Sequence, residues 1–211
     1  MKGMKGMGPA AKIAAAKLLA VPALLLTVAG CVSLGGGKPP PFLLSLSAST
    51  QVPAGAAASG TVASAIMVME PETDQRLAVL RVPVQVDDTQ VAYLVGTAWV
   101  ERPSRLFRGL LAETLRSRTQ VLVLEDTQAA PVSGTRLSGR LIDMGFDARN
   151  QSVVVRFDAM RTGPKGELQT KRFESVVPGV QPKPEFVGPA LNKAANDVAG
   201  QVADWVVAGQ A

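Results

Sequence analysis

The chain contains no histidine, one cysteine and few aromatic residues. Without histidine there is no Ser-His-Asp or Cys-His nucleophilic site, and the commonest neutral metal ligand is missing. A single cysteine allows no internal disulfide. Aromatics make up 4% of the residues, a poor basis for a sugar-stacking cleft. The adjacent acids Asp87-Asp88 and Glu125-Asp126 therefore read better as solvated turn formers than as the two carboxylates of a glycosidase. Phosphate-binding chemistry is also unsupported. Gly134 and Gly139 sit in strand context, and Gly163-Pro164-Lys165-Gly166 lacks both the spacing and the Ser/Thr of a nucleotide-binding loop. These absences point away from an enzyme, and they imply no catalytic residues, no bound cofactor and no metal.

What is present begins with charge. The formal net charge of +5 comes from 22 basic and 17 acidic residues. Lys2, Lys5, Lys12 and Lys17 all precede the cysteine, and no acid does, so 18 basic residues face 17 acids in the remainder. A basic groove for nucleic acid loses its basis. The 47% hydrophobic content across 211 residues is ample for one packed core.

Residues 1–30 have the order of an export signal: lysines, a short apolar stretch from Leu18 to Ala29, then small residues. The uncharged run from Leu18 to Gly30 is thirteen residues and is interrupted by Pro22, against the roughly 20 that a spanning helix needs. An uncleaved anchor helix is the weaker alternative. Val28-Ala29-Gly30-Cys31 resembles the bacterial lipobox, whose cysteine thiol receives diacylglycerol. Val28 stands where leucine is commoner. Cys31 is thus the expected lipid-attachment site, which also disposes of an unpaired thiol in an oxidising compartment. Val32 follows, where lipoproteins retained in the inner membrane usually have aspartate, so the resemblance favours the outer membrane. Residues 31–41 form a spacer, flexible at Gly35-Gly36-Gly37 and stiff at Pro39-Pro40-Pro41. From Cys31 to Phe42 it could reach roughly 35 Å.

Residues 42–211 read as one domain. Phe42 to Leu46 suits a first strand, 47–60 a mobile loop of small residues, and Ala63 to Met69 a second strand. Leu77 to Val86 and Gln90 to Val95 flank Asp87-Asp88-Thr89 as a hairpin. Ser104 is a candidate N-cap for a helix with Leu106, Phe107, Leu110, Leu111 and Leu115 on one stripe. Val121 to Leu124 reads as a strand buried on both faces. Leu137 to Phe146, Val153 to Met160 and Leu168 to Val176 follow as an antiparallel meander, with Arg140, Asp143, Arg156 and Asp158 as outward or cross-strand charges. Gly188-Pro189 can open a last helix carrying Leu191, Ala195, Val198, Val202, Trp205 and Val206. The expected fold is α+β: a mostly antiparallel sheet covered on one face by two helices and preceded by a signal peptide and linker.

Trp99 and Trp205 are the large side chains to place. Core packing is the first expectation for both, and a partner surface is the alternative. The lipobox, Pro41-Phe42-Leu43-Leu44, the segment from Val91 through Trp99-Val100-Glu101-Arg102-Pro103, the leucine-rich helix and a C-terminal helix ending near Asp204-Trp205 together resemble the ABC-type transport auxiliary lipoprotein family. Phe42 stands where that family often has tyrosine, and the insert at 47–60 is long. The resemblance implies a non-catalytic lipoprotein, anchored in the outer membrane with its domain facing the periplasm. Its implied partners are an ABC permease and ATPase, reached through a periplasmic mammalian-cell-entry-type protein, in a system that moves lipids or other hydrophobic molecules. A lipid- or lipopolysaccharide-binding carrier is the competing expectation.

Overall fold

The computed structural model describes residues 40–126 and 134–209; the signal segment, Cys31 and nearly all of the 31–41 spacer lie outside them. In chain order the elements are β1 (Phe42–Leu44), a 3-10 turn at Val62–Ser64, β2 (Ile66–Val68), β3 (Glu72–Thr73), β4 (Pro83–Gln85), β5 (Val91–Tyr93), β6 (Thr97–Trp99), α1 (Pro103–Arg116), β7 (Val123–Glu125), β8 (Thr135–Asp147), β9 (Ser152–Thr162), β10 (Leu168–Pro178) and α2 (Pro184–Ala208). The fold is α+β, with two helices on a sheet whose long strands are antiparallel.

Alternation builds the centre. Along β9, Val153, Val155, Phe157, Ala159 and Arg161 are buried, and Val154, Arg156, Asp158 and Met160 between them are half-exposed. This is the two-residue period of a strand with one covered face. β8 and β10 flank it over almost their whole lengths. The covering layer is α2, which buries Val187, Leu191, Ala195, Val198, Val202 and Val206, with α1 packed beside it. Phe107 of α1 meets Phe157 of β9 edge to face, ring centroids 5.3 Å apart. Gly139 of β8 has φ 148°, and a Cβ there would lie 2.1 Å from the Asp158 carbonyl oxygen, so only glycine fits this crossing.

Several expectations shift. The short strands β2, β3 and β4 run parallel to β8, and β2 is also parallel to β7. A parallel neighbour needs a crossover, and α1 lies between β2 and β7 in the chain. β7 starts two residues later than expected and forms an edge of the sheet, with only Val123 buried. Of the stretch from Leu77 to Val86, only Pro83–Gln85 is strand. It pairs with β5 as the hairpin anticipated around Asp87, whose Oδ1 accepts from the Thr89 and Gln90 amides at 2.8 and 2.9 Å.

Helix α1 starts at Pro103 behind Arg102, with no side-chain cap. Proline at the first position brings a preset φ and lacks one of the donors a cap would serve. Ser104 is inside the helix, and its hydroxyl donates to Glu70 Oε1 at 2.6 Å. Helix α2 likewise starts at Pro184 rather than at Gly188-Pro189, which leaves Pro189 within it. Residues 47–60 contain no helix or strand, but their first part is stitched down rather than free. The amides of Ser47 and Ser49 donate to Asn192 and Asn196 of α2, and that of Val52 to Glu113 of α1.

Candidate docking surfaces

Of the residues singled out in the sequence, Cys31 lies outside the described residues. Trp99 is 1% exposed and belongs to the core, so the partner-surface reading does not apply to it. Its Nε1–H has no acceptor among the described residues. Trp205 is half-buried, tilted against Phe173 at 5.6 Å, with the Arg161 guanidinium 5.3 Å from its ring centre. Arg161 is the charged residue that sequence reasoning passed over. It occupies the inward phase of β9, in register with Val153, Val155, Phe157 and Ala159, and donates to the Trp205 and Val206 carbonyls and to Gln169. A cation there serves the negative end of α2. Its signal was available as an arginine in an otherwise apolar period-two row.

The uncovered face of the meander is a chequerboard. One cross-strand row reads Asp143, Arg156, Glu174 and the next Arg140, Asp158, Arg172. Arg156 bridges Asp143 and Glu174, and Arg172 grips Asp158 with two bonds of 2.5 and 2.6 Å. The Arg172 bonds hold the Asp158 carboxyl below its ordinary range. Ile142 interrupts the β8–β9 register, and the carbonyl this bulge frees accepts from Arg76 at 2.6 Å. A shallow recess of about 390 Å³ opens here, lined by Arg76, Asp143, Asp147, Arg149 and Arg156. Hydrogen bonds from Arg149 pull the Asp147 carboxyl down to about 2. Acids and bases are matched within this face, so it offers neither a free general acid nor a net field.

The other adjacent acid pair is spent in the same way. Arg108, with a nearly buried side chain, reaches Asp126 at 2.6 Å, Glu125 at 3.2 Å and Glu70 at 3.7 Å. These contacts fasten α1 to β7 and to the end of β2. Asp88 pairs with Arg149. Among the described residues, no group of three or more possible ligands could hold a metal ion.

Two surfaces remain uncommitted. The first is the outer edge of β10, which among the described strands pairs only with β9 and is exposed at eight of its eleven residues. The second is apolar. Among the described residues, nine of the eleven exposed large hydrophobic side chains fall in β1, in residues 79–100 or at the start of α2, so exposure is concentrated rather than scattered. The segments that carry them touch: β1 pairs in parallel with β6, the Val100 amide donates to the Leu44 carbonyl, and the Trp99 amide to that of Leu80. Leu44 lies against Gly188 of α2, where a Cβ would be 2.8 Å from its Cδ2.

No protein-family model matches the chain, and no curated protein matches it. Solved structures do. A Xanthomonas campestris protein, XCC0632, described by the DUF330 family, overlaps at a TM-score of 0.62 with 12% identity, covering 81% of this chain and 95% of that one. An uncharacterised protein overlaps at 0.59 with 15% identity, covering 68% and 92%. The chain shares this fold. A candidate lipoprotein from Caulobacter crescentus overlaps at only 0.33, with 15% identity over 59% of this chain and 90% of that one, too little to carry an argument. No helix among the described residues is long and apolar enough to cross a membrane.

Proposed function

We propose that the protein is a non-catalytic outer-membrane lipoprotein, anchored through Cys31, that serves as an accessory subunit of an ABC/mammalian-cell-entry-type system moving lipids or other hydrophobic molecules across the envelope. Anchoring is supported by the Val-Ala-Gly-Cys pattern and by the Gly/Pro spacer leading into β1. The observation that carries the docking role is the free edge of β10. The outer edge of this eleven-residue strand, exposed at eight positions, can accept a strand from a partner. Lys171, Arg172 and Glu174 guard it against indiscriminate pairing. The partner is a periplasmic mammalian-cell-entry-type protein that links the lipoprotein to the permease and ATPase.

The test is membrane fractionation. Cys31→Ala should leave the fold intact and release the protein from the outer membrane, with loss of the transport phenotype; retention in that membrane would sink the anchoring role. In the anchored protein, Thr170→Pro on the edge of β10 should abolish co-purification of the partner while leaving localisation unchanged.

A second reading, a carrier whose own domain holds an acyl chain, is favoured by a groove of about 470 Å³ between residues 50–58 and the α1–β7 connection. Val52, Pro53, Ala57, Val121 and Leu122 line it. Native mass spectrometry of the gently prepared protein separates the two: co-purifying lipid supports the carrier, and a clean apo mass the accessory subunit.

A further inference from the structure

The apolar end of the domain has a charge pattern of its own. Phe42 and Leu43 are 56% and 60% exposed, Val95 84% and Val100 50%, with Leu80 and Phe186 at 46% and 44%. Among the same segments stand three exposed cations: Arg81 beside Leu80, Arg102 two residues after Val100, and Lys183 three before Phe186. None of the three has an ion pair among the described residues, whereas on the meander face Arg76, Arg149, Arg156 and Arg172 are paired and Arg140 stands across from Asp158 in the strand register. Arg81 instead stacks over Tyr93 at 4.1 Å, which holds its guanidinium in place without neutralising it. Of the neighbouring acids, Glu101 is held by Arg105 at 3.3 Å, and only Glu185 opposes the three cations.

From this surface we infer that the β1–β6 end is a membrane-resting face, on which the apolar side chains enter the headgroup region of a phosphate-bearing lipid bilayer and Arg81, Arg102 and Lys183 meet the phosphates. The inference rests on the anchoring at Cys31 proposed above. Exposed aromatic and branched side chains flanked by unpaired cations are what an interfacial lipid contact requires. A water-facing surface gains nothing from the apolar side chains, and a protein-facing one would need an acidic partner to meet three cations opposed by a single acid.

The path of the chain supplies the second argument. Phe42, the first strand residue, lies eleven positions after Cys31, so the apolar face is joined to the lipid by a tether of roughly 35 Å at most. At that distance the bilayer is present at an effective concentration in the millimolar range or above, and a contact too weak to bind a free domain becomes well populated. The face needs no high affinity of its own. It would set the orientation of the domain and leave the edge of β10 available to a partner.

The experiment uses the mature, acylated chain on vesicles of phosphatidylethanolamine and phosphatidylglycerol, with brominated acyl chains as a depth-dependent quencher. Because Cys31 is acylated, a fluorophore can be placed at Val95→Cys on the face or, as a control, at Lys171→Cys on β10. The expected result is strong quenching at position 95 and little at 171, and the combined Arg81→Glu, Arg102→Glu and Lys183→Glu changes should reduce the former on the order of tenfold. Equal quenching at both sites, or none at 95 while the protein still floats with the vesicles, overturns the resting face and leaves the anchor standing. Protection of position 95 only when a periplasmic protein is added overturns it in favour of a protein partner. Failure to float overturns the anchor, and the resting face falls with it.

Discussion

The two halves of the domain are built on different terms. From Thr135 onward, three strands of 11 to 13 residues and a 25-residue helix bury nearly every inward side chain and pair most of the outward charges. From Pro40 to Trp99, no strand exceeds three residues, long irregular segments join them, and seven large apolar side chains stay exposed. The first half supplies a scaffold. The second joins it through short parallel pairings and through Ile66, Val68, Leu77, Val82 and Trp99, which are buried in the same core, and it carries most of the exposed apolar surface among the described residues. The exposed apolar surface is thereby concentrated in the half with short elements, while the long-stranded half leaves open the outer edge of β10.

The sharpest way to break that contrast is a pair of phenylalanines. Phe157→Ala, at the contact with Phe107, should cost about 3–5 kcal/mol, whereas Phe42→Ala should stay within about 0.5 kcal/mol. Urea denaturation of the two variants measures both, and similar losses would erase the division between scaffold and surface. Gly139→Ala comes next. The positive φ and the approach to the Asp158 carbonyl should cost about 1–3 kcal/mol, read as a fall in thermal midpoint, and an unchanged midpoint would show that β8 can relax there.

The third prediction uses pH. The Asp147 carboxyl lies near 2 in the folded protein, below the roughly 3.9 of an ordinary aspartate. A depressed carboxyl stabilises the fold above the unfolded value, and that contribution fades as pH falls from about 4 towards 2. Wild type should therefore exceed Asp147→Asn by roughly 1–2 kcal/mol at pH 7, allowing for solvent screening at Arg149, and the gap should close near pH 2. A gap independent of pH would assign the effect to packing instead. The smallest effect belongs to the open face: Arg156→Ala should cost less than about 1 kcal/mol and become indistinguishable from wild type at high salt.

How far the sequence could be read depended on whether its signals were periodic. The strands of the meander and the charges at 140, 143, 156 and 158 were legible, because alternation over ten residues leaves one phase for the core and the other for water. The stripe of α1 was legible for the same reason at helical spacing. The starts of both helices were misplaced: serine at 104 and proline at 189 are good signals, but Pro103 and Pro184 begin the helices without them. The apolar end was missed altogether. A run such as Val79-Leu80 looks the same in sequence whether it is buried or exposed.

By itself, the sequence determined the α+β class, the three long strands, the lack of histidine and hence of its chemistry, and the lipobox-like context of Cys31. These follow from composition and from repeating patterns that the backbone imposes on every strand and helix. The tertiary structure alone decided that Trp99 is core, that Arg108 gathers three acids, that Arg161 closes α2, and that the short strands run parallel to β8. Each of these joins residues far apart in the chain, and no local pattern encodes which distant segment will arrive as neighbour.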